Sequence, residues 1–184
     1  MPSVPTHFFV GAALGQAVGQ RLRGDWRFWT VALVSSALPD IDVIGFSFGV
    51  RYGDLLGHRG LTHSILFAAV VGVVAGTLLG GTRTERAGNS ALLFMVTASH
   101  GLLDAMTNGG LGVAFFSPFG TTRYFLPWRP ILVSPIGLDR FFSARGLSVL
   151  MDEFVVVWLP LILLGIALRQ IRLSMLGRAS CGME

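Results

Sequence analysis

The chain has 184 residues, 52% hydrophobic and only 13% charged, with a net charge of +4 and a mean hydropathy of +0.66. Soluble domains carry about a quarter charged residues, so this composition points to lipid as the solvent. All 14 basic residues are arginine, spread through the connections rather than gathered in one run, which argues against a nucleic-acid partner. A single cysteine, Cys181, excludes an internal disulfide and a cysteine-based zinc knuckle.

Residues 1–20 contain no formally charged side chain. A secretory signal peptide would carry a basic region before its apolar stretch, so residues 6–20 are predicted as a first, short membrane segment. A second apolar segment runs from Phe28 to about Phe48 and is interrupted late by Pro39-Asp40-Ile41-Asp42. Residues 49–60 read as a polar loop. The third segment, roughly 61–81, is long enough to cross a hydrocarbon core about 30 Å thick. A fourth is predicted from about Ser90 to Thr107 and a fifth from 153 to 168, with a tail at 169–184. Residues 108–152 between these last two are rich in Gly, Pro and aromatics, and too long for an ordinary linker. The expected architecture is all-α: one domain over 1–184, a polytopic membrane bundle of four or five segments with a long irregular loop.

Arginine density gives an expected orientation. The short flanks 21–27, 82–89 and 169–184 hold eight arginines, whereas 1–5, 49–60 and 108–152 are longer and hold six. The positive-inside rule places the first set in the cytoplasm and the opposite face outside.

Ionisable groups at membrane depth are costly and mark function. His7, Asp40, Asp42, His58, His63, His100 and Asp104 fall in or beside four different segments, and alternating crossings bring all seven to one membrane face. His100 and Asp104 are four apart and share a helical face. Asp40 and Asp42 do not, but a break at Pro39 would turn both carboxylates to one centre. A turn at Gly60 would fold His58 back beside His63, with Thr62 as helix N-cap. Imidazole and carboxylate without thiolate suit zinc, manganese or iron. Seven candidates exceed one tetrahedral shell, so two zinc ions are expected and three are accommodated. Thr6-His7 and Thr62-His63 each precede an apolar helix, a pattern that chance or an internal duplication would equally produce.

The stretches "PTHFFVGAALG", "LPDIDVIG", "GHRGLTHS" and "SHGLLDAMTNGG", in this order, resemble the YdjM-like family of inner-membrane proteins described as metal-dependent hydrolases, LexA-regulated in some bacteria. The resemblance spans residues 2–160. It implies a bacterial inner-membrane location and carries over to the same seven residues as ligands. A distant similarity of such sequences to zinc-dependent phospholipase C and P1-type nucleases implies a helical bundle with a multi-zinc phosphoesterase centre. Those enzymes bind zinc through an N-terminal Trp; Met-Pro-Ser stands here.

The expected chemistry is hydrolysis of an ester or phosphoester, with Asp40 or Asp104 as general base. Arg59 is expected either to clamp an anionic oxygen or to snorkel to lipid headgroups. "VAFFSPFG" and "RYFLPWRPILVSPIG" in the long loop suggest either a lid over the metal centre, with a phospholipid or other amphiphile as substrate, or a loop that Phe115, Phe116, Phe125 and Trp128 simply anchor at headgroup level. The competing classes are a metal-binding transporter, which would need broken helices and access from both sides, and a structural metalloprotein, whose site would be closed. No G-x-S-x-G elbow and no P-loop occur.

Overall fold

The computed structural model describes residues 1–16 and 24–181. Among these every regular element is helical; only two isolated β-bridges occur, Thr107 with Ile131 and Val113 with Tyr124. Helix α1 spans Val4–Gly15, opened by Pro5 in its first turn, where the missing N–H costs nothing. The end of the first predicted segment, residues 17–20, and Arg21 and Arg23 lie outside the described residues. Helix α2 spans Trp26–Ala37, with the Asp25 carboxylate accepting from the Arg27 N–H. At Pro39 the chain tightens into a 3₁₀ segment, Leu38–Phe48, ended by Gly49 at φ +81°. Runs of 3₁₀ beyond three or four residues are uncommon and often mark function; this one carries Asp40 and Asp42.

A second 3₁₀ turn, Leu61–His63, leads into α3, Ile65–Leu78. The cap of α3 is Ser64, whose Oγ accepts from the Phe67 N–H, rather than Thr62. Thr62 instead donates to Asp42. Helix α4, Arg83–Ala105, starts with a Thr82/Glu85 capping box and holds His100 and Asp104 in its last turns. A Cβ on Gly72 would sit 2.7 Å from the Phe94 nitrogen and the Ser90 carbonyl oxygen, so glycine is what lets α3 and α4 approach this closely.

The connection predicted as irregular from 108 to 152 is so only to about residue 137. It contains α5, Leu138–Phe141, and α6, Ala144–Glu153, capped by Ser143. Arg145, Asp152 and Glu153 interrupt the apolar run there, so a real helix reads as a loop. A π-turn, Phe154–Trp158, joins α6 to α7, Leu159–Cys181. The predicted tail at 169 is therefore still helix: Arg169 and Arg172 end the apolar run without ending the helix, since arginine is a good helix former.

Two helical stretches are long and apolar enough to cross a membrane, Trp26–Phe48 and Ala144–Met175; α1 and α3 are shorter apolar helices. Phe28 and Ala32 of α2 pack on Leu92, Leu93 and Val96 of α4, and α1 packs on both. Val10, Ile131 and Val157 form a second cluster tying α1 to the loop and the π-turn. By contrast, every side chain from Ile162 to Met175 is exposed, as suits a helix whose apolar surface is covered by lipid.

Candidate metal centre

The polar interior lies where α1, the first 3₁₀ segment, the His58–His63 turn and the end of α4 converge. All seven residues singled out from sequence meet here. His7, His58, His63, His100, Asp42 and Asp104 are buried, and the Asp40 side chain is 9% exposed.

His63 is the hub. Its Nε2 lies 3.2 Å from Asp104 Oδ2 and 3.6 Å from Asp40 Oδ1, while its Nδ1 lies 3.2 Å from Asp42 Oδ2. His100 points its Nε2 at Asp40 Oδ1, 3.2 Å away, and donates from Nδ1 to the Ser36 carbonyl oxygen at 2.7 Å. That donation fixes the tautomer and leaves Nε2 as a lone pair facing the cluster. Asp40, His63, His100 and Asp104 form one set of potential ligands, and Asp42, His58 and His63 another, the ligand atoms of each set lying within 4.8 Å of one another.

Two observations test whether a metal fits. With bonds of about 2.0–2.1 Å in a tetrahedron, neighbouring ligand atoms stand about 3.3 Å apart; three contacts, of 3.2 to 3.6 Å, match that edge, and the whole set lies within 4.8 Å. Moreover, among the described residues the buried side-chain polar atoms without a well-aligned hydrogen bond include both nitrogens of His7, Nε2 of His58 and His63, Oδ2 of Asp40 and both oxygens of Asp104, along with Arg59 Nε and Ser117 Oγ; His63 Nε2 and Arg59 Nε keep ion-pair contacts to Asp104 Oδ2. Orphaned buried polar groups are rare and call for an explanation. All but Arg59 Nε and Ser117 Oγ belong to one cluster of imidazoles and carboxylates, the atom types that bind zinc. The residues fit a metal.

The remaining members have distinguishable places. Asp42 bonds His58 Nδ1 at 2.8 Å through Oδ1 and faces His63 Nδ1 through Oδ2, so one carboxylate straddles two imidazoles and leaves His63 Nε2 facing Asp40 and Asp104. Its Oδ2 also accepts from Thr62 Oγ1 at 2.6 Å. His7 stacks on His100 with centroids 3.6 Å apart, and its Nε2 is 3.9 Å from Asp104 Oδ1. The two oxygens of Asp104 thus face different imidazoles.

Arg59 is fully buried and adopts φ +62°, a left-handed conformation uncommon outside glycine. Its guanidinium is occupied by the protein: Nε sits 3.1 Å from Asp104 Oδ2, and the two amino groups donate to the Gly109 carbonyl oxygen and Thr107 Oγ1 at 3.0 Å each. Sequence reasoning left this arginine between an anionic substrate oxygen and lipid headgroups. The long loop is fastened to the site by hydrogen bonds. Arg123 donates to the carbonyl oxygens of His58 and Tyr52, and Ala114 N–H donates to that of Arg59. Asp54, read from sequence as a loop residue, is one; the Arg51 backbone N–H holds its carboxyl below the usual aspartate range.

Glu153 escaped the sequence reading. It is fully buried, accepts from the Ser3 N–H at 2.6 Å and from Thr6 Oγ1 at 2.7 Å, and also bonds Ser3 Oγ. Trp158 Nε1 donates to Thr6 Oγ1 at 2.7 Å. This clamp ties α6 and the π-turn to the turn of α1 that presents His7. Its partners are hydroxyls rather than imidazoles, so nothing in the metal-ligand pattern pointed to it; an acidic residue at the edge of a long apolar run was the available signal.

Comparison with known proteins agrees with this picture. The chain is 40% identical over 167 residues to the inner membrane protein YbcI of Escherichia coli (strain K12), covering 89% of this chain and 95% of that protein. No solved structure matches. The family model for the YdjM inner membrane protein matches residues 1–175, so a chain whose composition demands lipid and whose polar residues converge on one buried cluster belongs to the YdjM family of inner membrane proteins.

Proposed function

We propose that this protein is a membrane-embedded, metal-dependent hydrolase acting on an ester or phosphoester of a lipid-like molecule. The observation that carries the reading is the convergence of orphaned imidazole nitrogens and carboxylate oxygens in one buried cluster. Zinc suits the donor set. Asp40, His63, His100 and Asp104 would hold one ion. The two-sided disposition of Asp104, with His7 on one side and His63 on the other, supports a second. A bound divalent metal lowers the pKa of coordinated water and stabilises charge on the attacked group.

The chain's own residues divide the rest. Asp40 is the carboxylate of the cluster that reaches a surface cavity, and its Oδ2 is free of protein partners; it is the general base in this reading. Asp104 is fully enclosed and tied to Arg59, which leaves it a holding role. Arg59, spent on Asp104, Thr107 and Gly109, acts by positioning Asp104 rather than by clamping substrate. Arginine-dense flanks on the opposite side favour a centre facing the periplasm, open to envelope lipids.

The test is elemental analysis of protein purified in mild detergent, followed by a screen of lipid esters and phosphoesters. About two zinc ions per chain and turnover that chelation abolishes are expected. Protein that keeps full activity and thermal stability without metal would overturn the reading.

A further inference from the structure

Next to the cluster lies a cavity of about 410 Å³ bounded by the chain before α1, the first 3₁₀ segment and the stretch around α5. That volume falls in the range of small-molecule sites. Asp40 is the one charged side chain among the residues that line it, and the Met1 α-amino group also lies in the wall. Val4, Pro5, Val43, Pro135, Phe141 and Phe142 supply most of the remainder. The two hydroxyl residues in its wall are already engaged: Ser3 Oγ on Glu153, and Ser134 Oγ toward the Pro135 carbonyl oxygen. No side chain other than Asp40 is left to recognise a polar group. Phe142, at one boundary, is 80% exposed.

From this juxtaposition we propose that the cavity seats a single alkyl or acyl chain of the substrate, with the group to be cleaved at Asp40 and the hydrocarbon running toward Phe141 and Phe142. A methylene fills about the volume of a water molecule, roughly 30 Å³, so the space has room for one chain of about a dozen carbons. The identity of the head group rests on the hydrolase reading; the seat for the chain rests on the cavity itself. Each methylene buried strengthens binding about fourfold, so affinity should climb with chain length until the cavity is full.

The probe is a dodecyl phosphonate with a diazirine at the chain end, applied to zinc-loaded protein in amphipol, with a butyl phosphonate as the short control. Labelling is expected on residues 1–5 and 134–142. Val43→Trp and Val4→Trp fill the cavity from two different walls. Each should cut labelling at least tenfold while metal content and cleavage of short-chain esters stay unchanged. Labelling that survives both substitutions, or that falls only on the exposed face of α7, overturns the proposal. Pocket labelling with no ester or phosphoester turned over would support the seat and sink the hydrolase reading. Turnover indifferent to chain length, with the pocket unlabelled, would do the reverse.

Discussion

The dipeptide Thr-His occurs twice, and the two copies show how alike sequence signals diverge once folded. In both, the threonine donates to a buried carboxylate: Thr6 to Glu153, Thr62 to Asp42. The histidines then part company. His63 has an acidic neighbour at each ring nitrogen, Asp42 on one side and Asp104 and Asp40 on the other. His7 has neither nitrogen hydrogen-bonded and is oriented by stacking on His100. The carboxylate beside Thr62 turns an imidazole toward the centre. The one beside Thr6 fastens a helix and leaves its histidine to packing. What separates hub from periphery is where a carboxylate can reach, which no local motif records.

That contrast can be broken by substitution, and the largest effect should come at the hub. His63→Ala removes a group shared by both potential ligand sets, so bound zinc should fall more than a hundredfold in affinity and turnover should vanish. Retained metal in this variant would dissolve the distinction between the two histidines. Asp42→Asn keeps the shape but weakens the hold on both Nδ1 atoms; losses of this kind run to about 10–100-fold in metal affinity. A competition titration with a chelator measures it. An affinity unchanged from the parent would mean that Asp42 neither ligates nor orients.

His7→Ala should cost less, about tenfold in the same titration, and should lower the metal count toward one if the second ion sits between His7 and Asp104. A loss equal to that of His63→Ala would make the two copies equivalent after all. Smallest in metal terms is Thr6→Val. It leaves the Trp158 N–H without its acceptor, an unmade buried bond worth roughly 1–3 kcal/mol, and takes from one Glu153 oxygen one of its two donors. Thermal unfolding should register that destabilisation while metal affinity changes no more than a few fold. A zinc loss without a stability loss would place Thr6 and Glu153 in the centre itself.

Much of the site was legible because polar residues stand out against apolar segments. Position along each segment sufficed to bring His7, Asp40, His63, His100 and Asp104 to one level. The fold was legible in class and in its apolar helices. Helix α6 was not, because Arg145, Asp152 and Glu153 interrupt the run of hydrophobic residues that identifies a membrane segment. Roles within the cluster were also hidden. Spacing placed Asp42 and Arg59 nearby, but only geometry separates a ligand from a residue that orients one. Nor could spacing show that Arg59 faces Asp104, since the pair lies 45 positions apart and Arg59 takes a left-handed backbone conformation that spacing does not announce.

The bond from Ser3 to Glu153 joins residues 150 positions apart, and this bears on biogenesis. All seven ligand candidates are synthesised by residue 104, and α1 can already pack on α2 and α4 by then. Chains are made from the amino terminus forward, so the carboxylate that fastens Ser3 and Thr6 is the last part of this arrangement to be made. A chain cut before α6 would keep all seven residues and lose only the clamp on the turn that presents His7.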